Sequence, residues 1–208
     1  MEKYILDTNI FFNISSEINL GKNTKEVILN LTKIIKKLKE KNKAEFLMPP
    51  KVVEEFLSFF DKKEDFLNDF LSLINIKNPK IDNVQFASRV FYLLVDEARK
   101  RAYQGLNIAE EEIEKTAKKF LSINKSLSKK DFQLEVGEMI KKLRQRYRQA
   151  TRFGFLDSIT DLDLIVLTDE VNGFLISTDE GVLRWAEIFG VKVIPAEVWR
   201  RRLEHFLA

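Results

Sequence analysis

The chain has 208 residues, a formal net charge of +3 and no cysteine, and 45% of its residues are hydrophobic. This length suits one domain with an insertion, and the lack of cysteine excludes disulfides and thiolate metal sites, as expected for a cytoplasmic protein. No apolar stretch approaches the roughly 20 residues of a membrane span, and the N terminus does not resemble a signal peptide, so we expect no membrane association.

The first part of the chain alternates strand and helix patterns. A strand is predicted at residues 3–6, an amphipathic helix at Asn23–Lys41, a second strand at Glu45–Met48 that Pro49 ends, and another helix from Val52. This alternation is typical of an α/β fold with parallel strands.

The middle of the chain reads differently, because residues 84–153 contain only helical patterns. We predict one helix from Val84 to Tyr103 that ends near Gly105, a second after Asn107, and a third from Ser128 to about Arg152.

The α/β pattern returns after Gly154. It predicts a helix at 156–171, a strand at 174–177, a helix at 182–189 and a strand at 191–194. The predicted organisation is therefore an α/β domain of residues 1–83 and 154–208, interrupted by a protruding, all-helical insertion of residues 84–153.

Four acids stand where such a fold would bring them together. Asp7 follows the apolar strand YIL, Asp179 follows the strand FLIS, and Asp157 and Asp161 lie four residues apart on one predicted helix face. Ligands of parallel sheets bind at the carboxyl ends of the strands. Clustered carboxylates repel one another unless a hard cation such as Mg²⁺ or Mn²⁺ neutralises them, and such a cation can activate water for phosphodiester hydrolysis.

Other polar residues are ambiguous. Taken singly, each acid could be a turn or cap residue. Asp163 points away from the Asp161 face of a regular helix, and Glu54 and Glu55 stand at a helix start, where the dipole favours acids in any case. The single histidine, His205, offers no Ser-His-Asp arrangement. Whether Glu55 or Asp163 contributes to the site stays open.

These acids and their neighbours resemble the PIN-domain nuclease pattern. The resemblance rests on Asp7-Thr8-Asn9 after a strand, an acid after Val52-Val53, the stretch from Asp161, and the Ser-Thr-Asp that ends in Asp179. Asp157, one turn before Asp161, the stretch LDSITDLDLIVLTDEVNGFLISTDEG and the helical insertion are similar to one branch, the minimal RNA-free ribonuclease P family, whose members are also labelled RNA ligase partners.

The resemblance implies a small Rossmann-like parallel sheet flanked by helices. It further implies that Asp7, Asp157, Asp161 and Asp179 are catalytic and hold Mg²⁺ or Mn²⁺. The expected activity is removal of the 5′ leader of precursor tRNA by protein alone, without an RNA subunit. Assembly into a homo-oligomer through the helical insertion is also implied.

A basic stripe on the third inserted helix is the predicted RNA-binding surface. Its arginines suit bidentate phosphate contacts, although a solvated face would look similar. The predicted phosphate-binding residues are Lys141, Lys142, Arg144, Arg146, Arg148 and Arg152.

Two other functions fit the same residues. A toxin-type PIN ribonuclease would cut mature tRNA or mRNA, but such proteins are typically compact and lack a large insertion. A non-catalytic RNA-binding partner of an RNA ligase would not need the intact set of acids.

Overall fold

A computed structural model describes residues 1–13, 20–61, 64–122, 126–156 and 158–207. Its helices and strands follow in chain order as β1 (Glu2–Leu6), α1 (Asn9–Phe12), α2 (Thr24–Glu40), β2 (Ala44–Met48), α3 (Pro50–Ser58), α4 (Asp65–Leu73), β3 (Asn75–Ile76), α5 (Ser88–Leu121), α6 (Lys129–Thr151), α7 (Ile159–Glu170), β4 (Phe174–Ile176), α8 (Glu180–Phe189) and α9 (Ala196–Leu207). No helix within these ranges is long and apolar enough to cross a membrane.

The described chain forms two compact units. Unit 1 comprises Met1–Phe86 and Leu156–Ala208, and unit 2 comprises Ala87–Phe155.

Unit 1 is built on a four-stranded sheet in the order β3-β2-β1-β4, with every neighbouring pair parallel. The sequence prediction of an α/β fold with a parallel sheet is confirmed. The central strand β1 reads Tyr4-Ile5-Leu6, and all three residues are fully buried, as expected for a strand covered on both faces. The order reverses beside β1, so the crevice at the carboxyl ends of β1 and β4 is where this topology places a ligand.

Amphipathic helices cover the sheet, because packing against it removes their apolar faces from water. Helix α2 buries a stripe at three- and four-residue steps, and the side chain of Asn23 caps it by accepting a hydrogen bond from the Glu26 N–H. Helix α7 instead buries the continuous run Leu164–Thr168 and packs against β1 and β4. Its N-terminal turn is thereby brought to the carboxyl edge of the sheet.

Unit 2 consists of α5 and α6, packed as an antiparallel pair. The prediction of two helices before Ser128 was wrong, because α5 runs unbroken for 34 residues through Gly105 and Asn107. Gly105 is buried against Tyr147 of α6, and a Cβ at this position would lie 2.5 Å from the Tyr147 ring. The glycine therefore permits close approach of two helices and does not end one.

The strand predicted at residues 191–194 is also absent from the described part of the chain. The residues there contain a single bridge from Val193 to Leu175, after Gly190 ends α8 in the left-handed conformation. The segment follows β4 for one pairing only and then turns into α9.

Candidate active site

Asp7 lies immediately after β1 and is buried, with 3% of its surface exposed. Its Oδ2 accepts hydrogen bonds from Ser177 Oγ at 2.5 Å and Asn9 Nδ2 at 3.1 Å, and its Oδ1 accepts one from Thr8 Oγ1 at 3.3 Å. Neutral hydroxyl and amide donors thus orient the carboxylate.

Asp179 occupies the corresponding place after β4 and begins α8. Its Oδ1 accepts hydrogen bonds from the N–H groups of Gly181 at 2.7 Å and Val182 at 3.2 Å. Its own N–H donates to Ser177 Oγ at 3.0 Å. The Ser177 hydroxyl therefore joins the carboxylate of Asp7 to the backbone of Asp179, and so ties the ends of β1 and β4 together.

Glu55, on α3, reaches the same place from the other side of β1. Thr8 Oγ1, which donates to Asp7, also lies 3.4 Å from Glu55 Oε1. The structure brings Glu55 next to Thr8 and close enough to Asp7 for the charge of Asp7 to act on it.

The carboxylates affect one another's protonation. Burial raises the pKa of Asp7, and the charge of Asp179 adds to the rise, although the hydrogen bonds from Ser177 and Asn9 oppose it. Partial burial and the charge of Asp7 likewise raise the pKa of Glu55. None of the ion pairs between described residues includes Asp7, Glu55 or Asp179. Unneutralised carboxylates at the end of a sheet favour the arrival of a cation.

The remaining predicted acids divide into three cases. Asp161 is half-buried in the first turn of α7. Asp163 is buried, and its Oδ2 lies 3.2 Å from Lys51 Nζ, so this acid has a structural partner on α3. Asp157 lies outside the described residues. Among the residues that are described, no three acids meet closely enough to hold a metal ion.

Similarity to known proteins extends over nearly the whole chain. The family model for PINc domain ribonucleases matches residues 3–208. RNA-free ribonuclease P of Nitrosococcus oceani is 34% identical over 205 residues, which cover 99% of this chain and 96% of that protein. RNA-free ribonuclease P of Thermococcus kodakarensis is 34% identical, with 97% and 94% covered, and that of Pyrococcus furiosus is 31% identical, with 100% and 95% covered.

This chain belongs to the RNA-free ribonuclease P family of PINc domain ribonucleases. It is an endoribonuclease, and PIN nucleases generally depend on a divalent metal ion. The family resemblance drawn from the sequence is thereby confirmed.

In this family member, most of the predicted basic stripe is exposed on α6. Lys141, Lys142, Arg144 and Arg148 face solvent, and Arg152 follows the end of the helix. Arg146 differs, because its guanidinium pairs with Glu111 at 2.8 Å and Glu112 at 2.5 Å on α5. Those ion pairs lie within unit 2, so they give Arg146 a structural role there.

Sequence reasoning missed Ser177 and Thr8 as partners of the acids. The signal in the sequence was a hydroxyl residue close to each acid: Thr8 directly follows Asp7, and Ser177 lies two residues before Asp179. Both stand at positions where the chain turns after a strand. Their contacts join residues 47 and 170 positions apart, which no local pattern reveals.

Proposed function

We propose that this chain is an RNA-free ribonuclease P, an endoribonuclease that removes the 5′ leader of precursor tRNA without an RNA subunit. The observation that carries the proposal is that similarity to proteins of that name extends over nearly the entire chain, unit 2 included. A compact toxin-type PIN ribonuclease would be similar to such proteins only in the acids and in the sheet that carries them.

The proposal assigns the catalytic carboxylates to Asp7, Asp157, Asp161 and Asp179, which would hold Mg²⁺ or Mn²⁺. Their all-oxygen donor set suits these hard cations, and Mg²⁺ commonly uses only one or two carboxylates and keeps several waters. The raised pKa of the buried Asp7 supports the assignment, because a carboxylate kept out of water gains most from a cation. When bound, the cation supplies charge stabilisation to the phosphate under attack.

The protein contributes rigid positioning. Ser177 and Asn9 hold Asp7, and the first amides of α8 hold Asp179, so neither carboxylate needs to reorganise when the RNA arrives. Glu55 stands next to Thr8 and adds negative charge to the same edge of the sheet. We include it as a further carboxylate of the site.

We assign binding of the phosphate backbone to Lys141, Lys142, Arg144, Arg148 and Arg152, and leave Arg146 out because of its ion pairs. We also propose the domain organisation predicted from the sequence. Residues 1–83 and 154–208 form the PIN domain, and residues 84–153 form the helical insertion. The basic residues then lie on the insertion and the acids on the PIN domain.

We also propose that the protein assembles with itself through α5 and α6. The two helices together bury only Val90, Gly105 and Glu112, and α6 has no buried residue. Most of the large hydrophobic side chains that the described chain exposes lie on this pair, among them Tyr92 at 78% and Ile113 at 67%. Exposed apolar surface on this scale is typical of an interface.

One assay tests the activity. Precursor tRNA labelled at its 5′ end is incubated with the purified protein and Mg²⁺, and the cut is mapped. We expect a single cut at the mature 5′ end. Cuts elsewhere in the RNA would support the toxin-type alternative, and binding without cleavage would support a non-catalytic partner.

Replacing Arg144 and Arg148 together with alanine should weaken precursor tRNA binding roughly tenfold, since each exposed charge pairing contributes up to about 1 kcal/mol. The dependence of log Kd on log salt should become shallower by roughly one for each phosphate that the variant no longer neutralises. Binding is measured by filter retention across a salt series with EDTA present. At saturating RNA the cleavage rate should change much less than the affinity.

The control removes the same charge elsewhere, by changing Arg200 and Arg201 of α9 to alanine. Those arginines pair with Glu204 and Glu197 on their own helix. An equal loss of affinity in both double variants would mean that α6 attracts RNA only through net charge.

A further inference from the structure

Two phenylalanines form an exposed pair on unit 1. The rings of Phe12, at the end of α1, and Phe59, which follows α3, have centroids 4.1 Å apart and planes inclined by 35°. Phe59 is 57% exposed, and Phe12 is half-buried. An aromatic side chain gains much free energy from burial, so a pair left facing water is a candidate contact surface.

The pair lies one helical turn from the candidate active site. Thr8 is four residues before Phe12, and Glu55 is four residues before Phe59, and both intervals have helical backbone. Thr8 Oγ1 and Glu55 Oε1 are 3.4 Å apart, and Thr8 also contacts Asp7. The aromatic contact therefore repeats the Thr8–Glu55 contact about 5.4 Å further along the two helices.

Other phenylalanines hold the pair in place from behind. Phe12 also contacts Phe56 and Phe60, with centroids 6.1 and 6.0 Å away, and Phe56 packs against Phe60 at 5.3 Å. Phe56 is fully buried. The exposed rings are thus the outer edge of a packed aromatic cluster, and little conformational entropy remains to be lost when something stacks on them.

We infer that Phe12 and Phe59 form a stacking platform for the base of an unpaired leader nucleotide next to the cleaved phosphate. The inference rests on the proposed function. Unpaired bases commonly stack on aromatic side chains, whereas the bases of a stem already stack on one another. The rings of Phe12 and Phe59 are uncharged and offer no hydrogen-bond donor to a phosphate, so the face of a base is the part of the RNA that suits this surface.

Abasic precursors test the platform. Each of the first three leader nucleotides is replaced in turn by an abasic residue, and kcat/KM is measured for wild type, Phe59→Ala and Phe59→Trp. One abasic position should lower wild-type kcat/KM roughly tenfold. Phe59→Ala should lower kcat/KM for the intact precursor by a similar factor and be insensitive to that abasic position, and Phe59→Trp should restore both values.

The matched control is Phe91→Ala, which removes a phenylalanine of the same 57% exposure from unit 2. This variant should keep the wild-type sensitivity to the abasic position whatever its overall activity. Equal sensitivity of Phe59→Ala and wild type would overturn the platform. So would a Phe59→Ala variant that changes only its mass in light scattering, because the pair would then contact a second copy of the chain.

A binding measurement separates this inference from the proposed activity. Trp185 and Trp199 are fully buried. In the Phe59→Trp variant, the indole at position 59 is therefore the tryptophan side chain that RNA can contact. In EDTA, intact precursor should quench that fluorescence, and the precursor lacking the critical base should not. Absence of cleavage by wild type would refute the proposed function, whereas absence of quenching by bound precursor would refute the platform.

Discussion

Replacing Asp7 with asparagine should abolish most cleavage of precursor tRNA and leave the fold intact. Asparagine has nearly the same shape and can still accept the hydrogen bond from Ser177, but it lacks the charge that attracts a cation. We expect kcat/KM to fall at least about 100-fold, because losing even an outer-shell partner of a metal ion costs about 10- to 100-fold. Asp179→Asn should behave alike, since asparagine also caps a helix well.

The same substitution should stabilise the metal-free protein. Burial raises the pKa of Asp7, so the folded state binds a proton that the unfolded state has already released. The contribution of Asp7 to wild-type stability is therefore greatest below the pKa of the unfolded carboxyl, about 4, and is lost as the pH rises through the raised folded pKa. In EDTA at pH 7, Asp7→Asn should melt above wild type, and the difference should vanish as the pH falls below about 4.

Adding Mg²⁺ should reverse this order, because a ligand that binds only the folded wild type raises its Tm. The control is Asp169→Asn, which makes the same chemical change at the exposed end of α7. That variant should match wild type in cleavage, in melting and in the response to Mg²⁺. Wild-type turnover by Asp7→Asn would remove this residue from the proposed site.

Placing glutamates at Ile113 and Ile140 should prevent the proposed self-assembly and leave a 24.4 kDa monomer. Both side chains are exposed, at 67% and 43%, and both line an apolar cleft of about 340 Å³ between α5 and α6. Two buried carboxylates facing an apolar partner cannot be tolerated, since burying an unpaired charge costs several kcal/mol. Mass is measured by light scattering at micromolar concentration.

Replacing Ala87–Phe155 by a short Gly-Ser linker should also give a monomer, whose mass is lower by that of the residues removed. Val198→Glu is the matched control, because it puts the same charge at a 53% exposed apolar position of α9, outside unit 2. Its mass should equal that of wild type. A wild-type protein that is itself monomeric at this concentration would refute assembly through these helices.

Local patterns sufficed where the sheet and its covering helices dictate the sequence. The apolar run of β1 followed by Asp7 identifies a strand that is buried on both faces, and the amphipathic stripe of α2 identifies a helix that buries one face. Gly105 misled the helix prediction because a glycine that ends a helix and one that admits a neighbouring helix look alike in one dimension. Only the contact with Tyr147 distinguishes them.

The details of the candidate site depend on contacts between distant segments. Glu55 stands at a helix start where any acid would be favourable, and its place beside Thr8 follows from how α3 packs next to α1. Arg146 looks like its basic neighbours in sequence, yet the acids that pair with it lie 34 and 35 residues earlier. Such pairs become visible once the sheet order and the antiparallel packing of α5 and α6 are known.

The link between Ser177 and Asp7 has a consequence for synthesis of the protein. It spans 170 positions, and β4 must pair with β1 before the two can meet. Helices α5 and α6 lie between these strands in the chain and make contacts of shorter range, which form sooner. At roughly 5–20 residues per second, synthesis of the 170 positions from Asp7 to Ser177 takes on the order of 10 to 30 seconds, and during this time β1 can pair with β2 but not with β4. Until Asp179 has been added, a nascent chain attached to its own messenger RNA carries no assembled set of acids, and the message is not exposed to them.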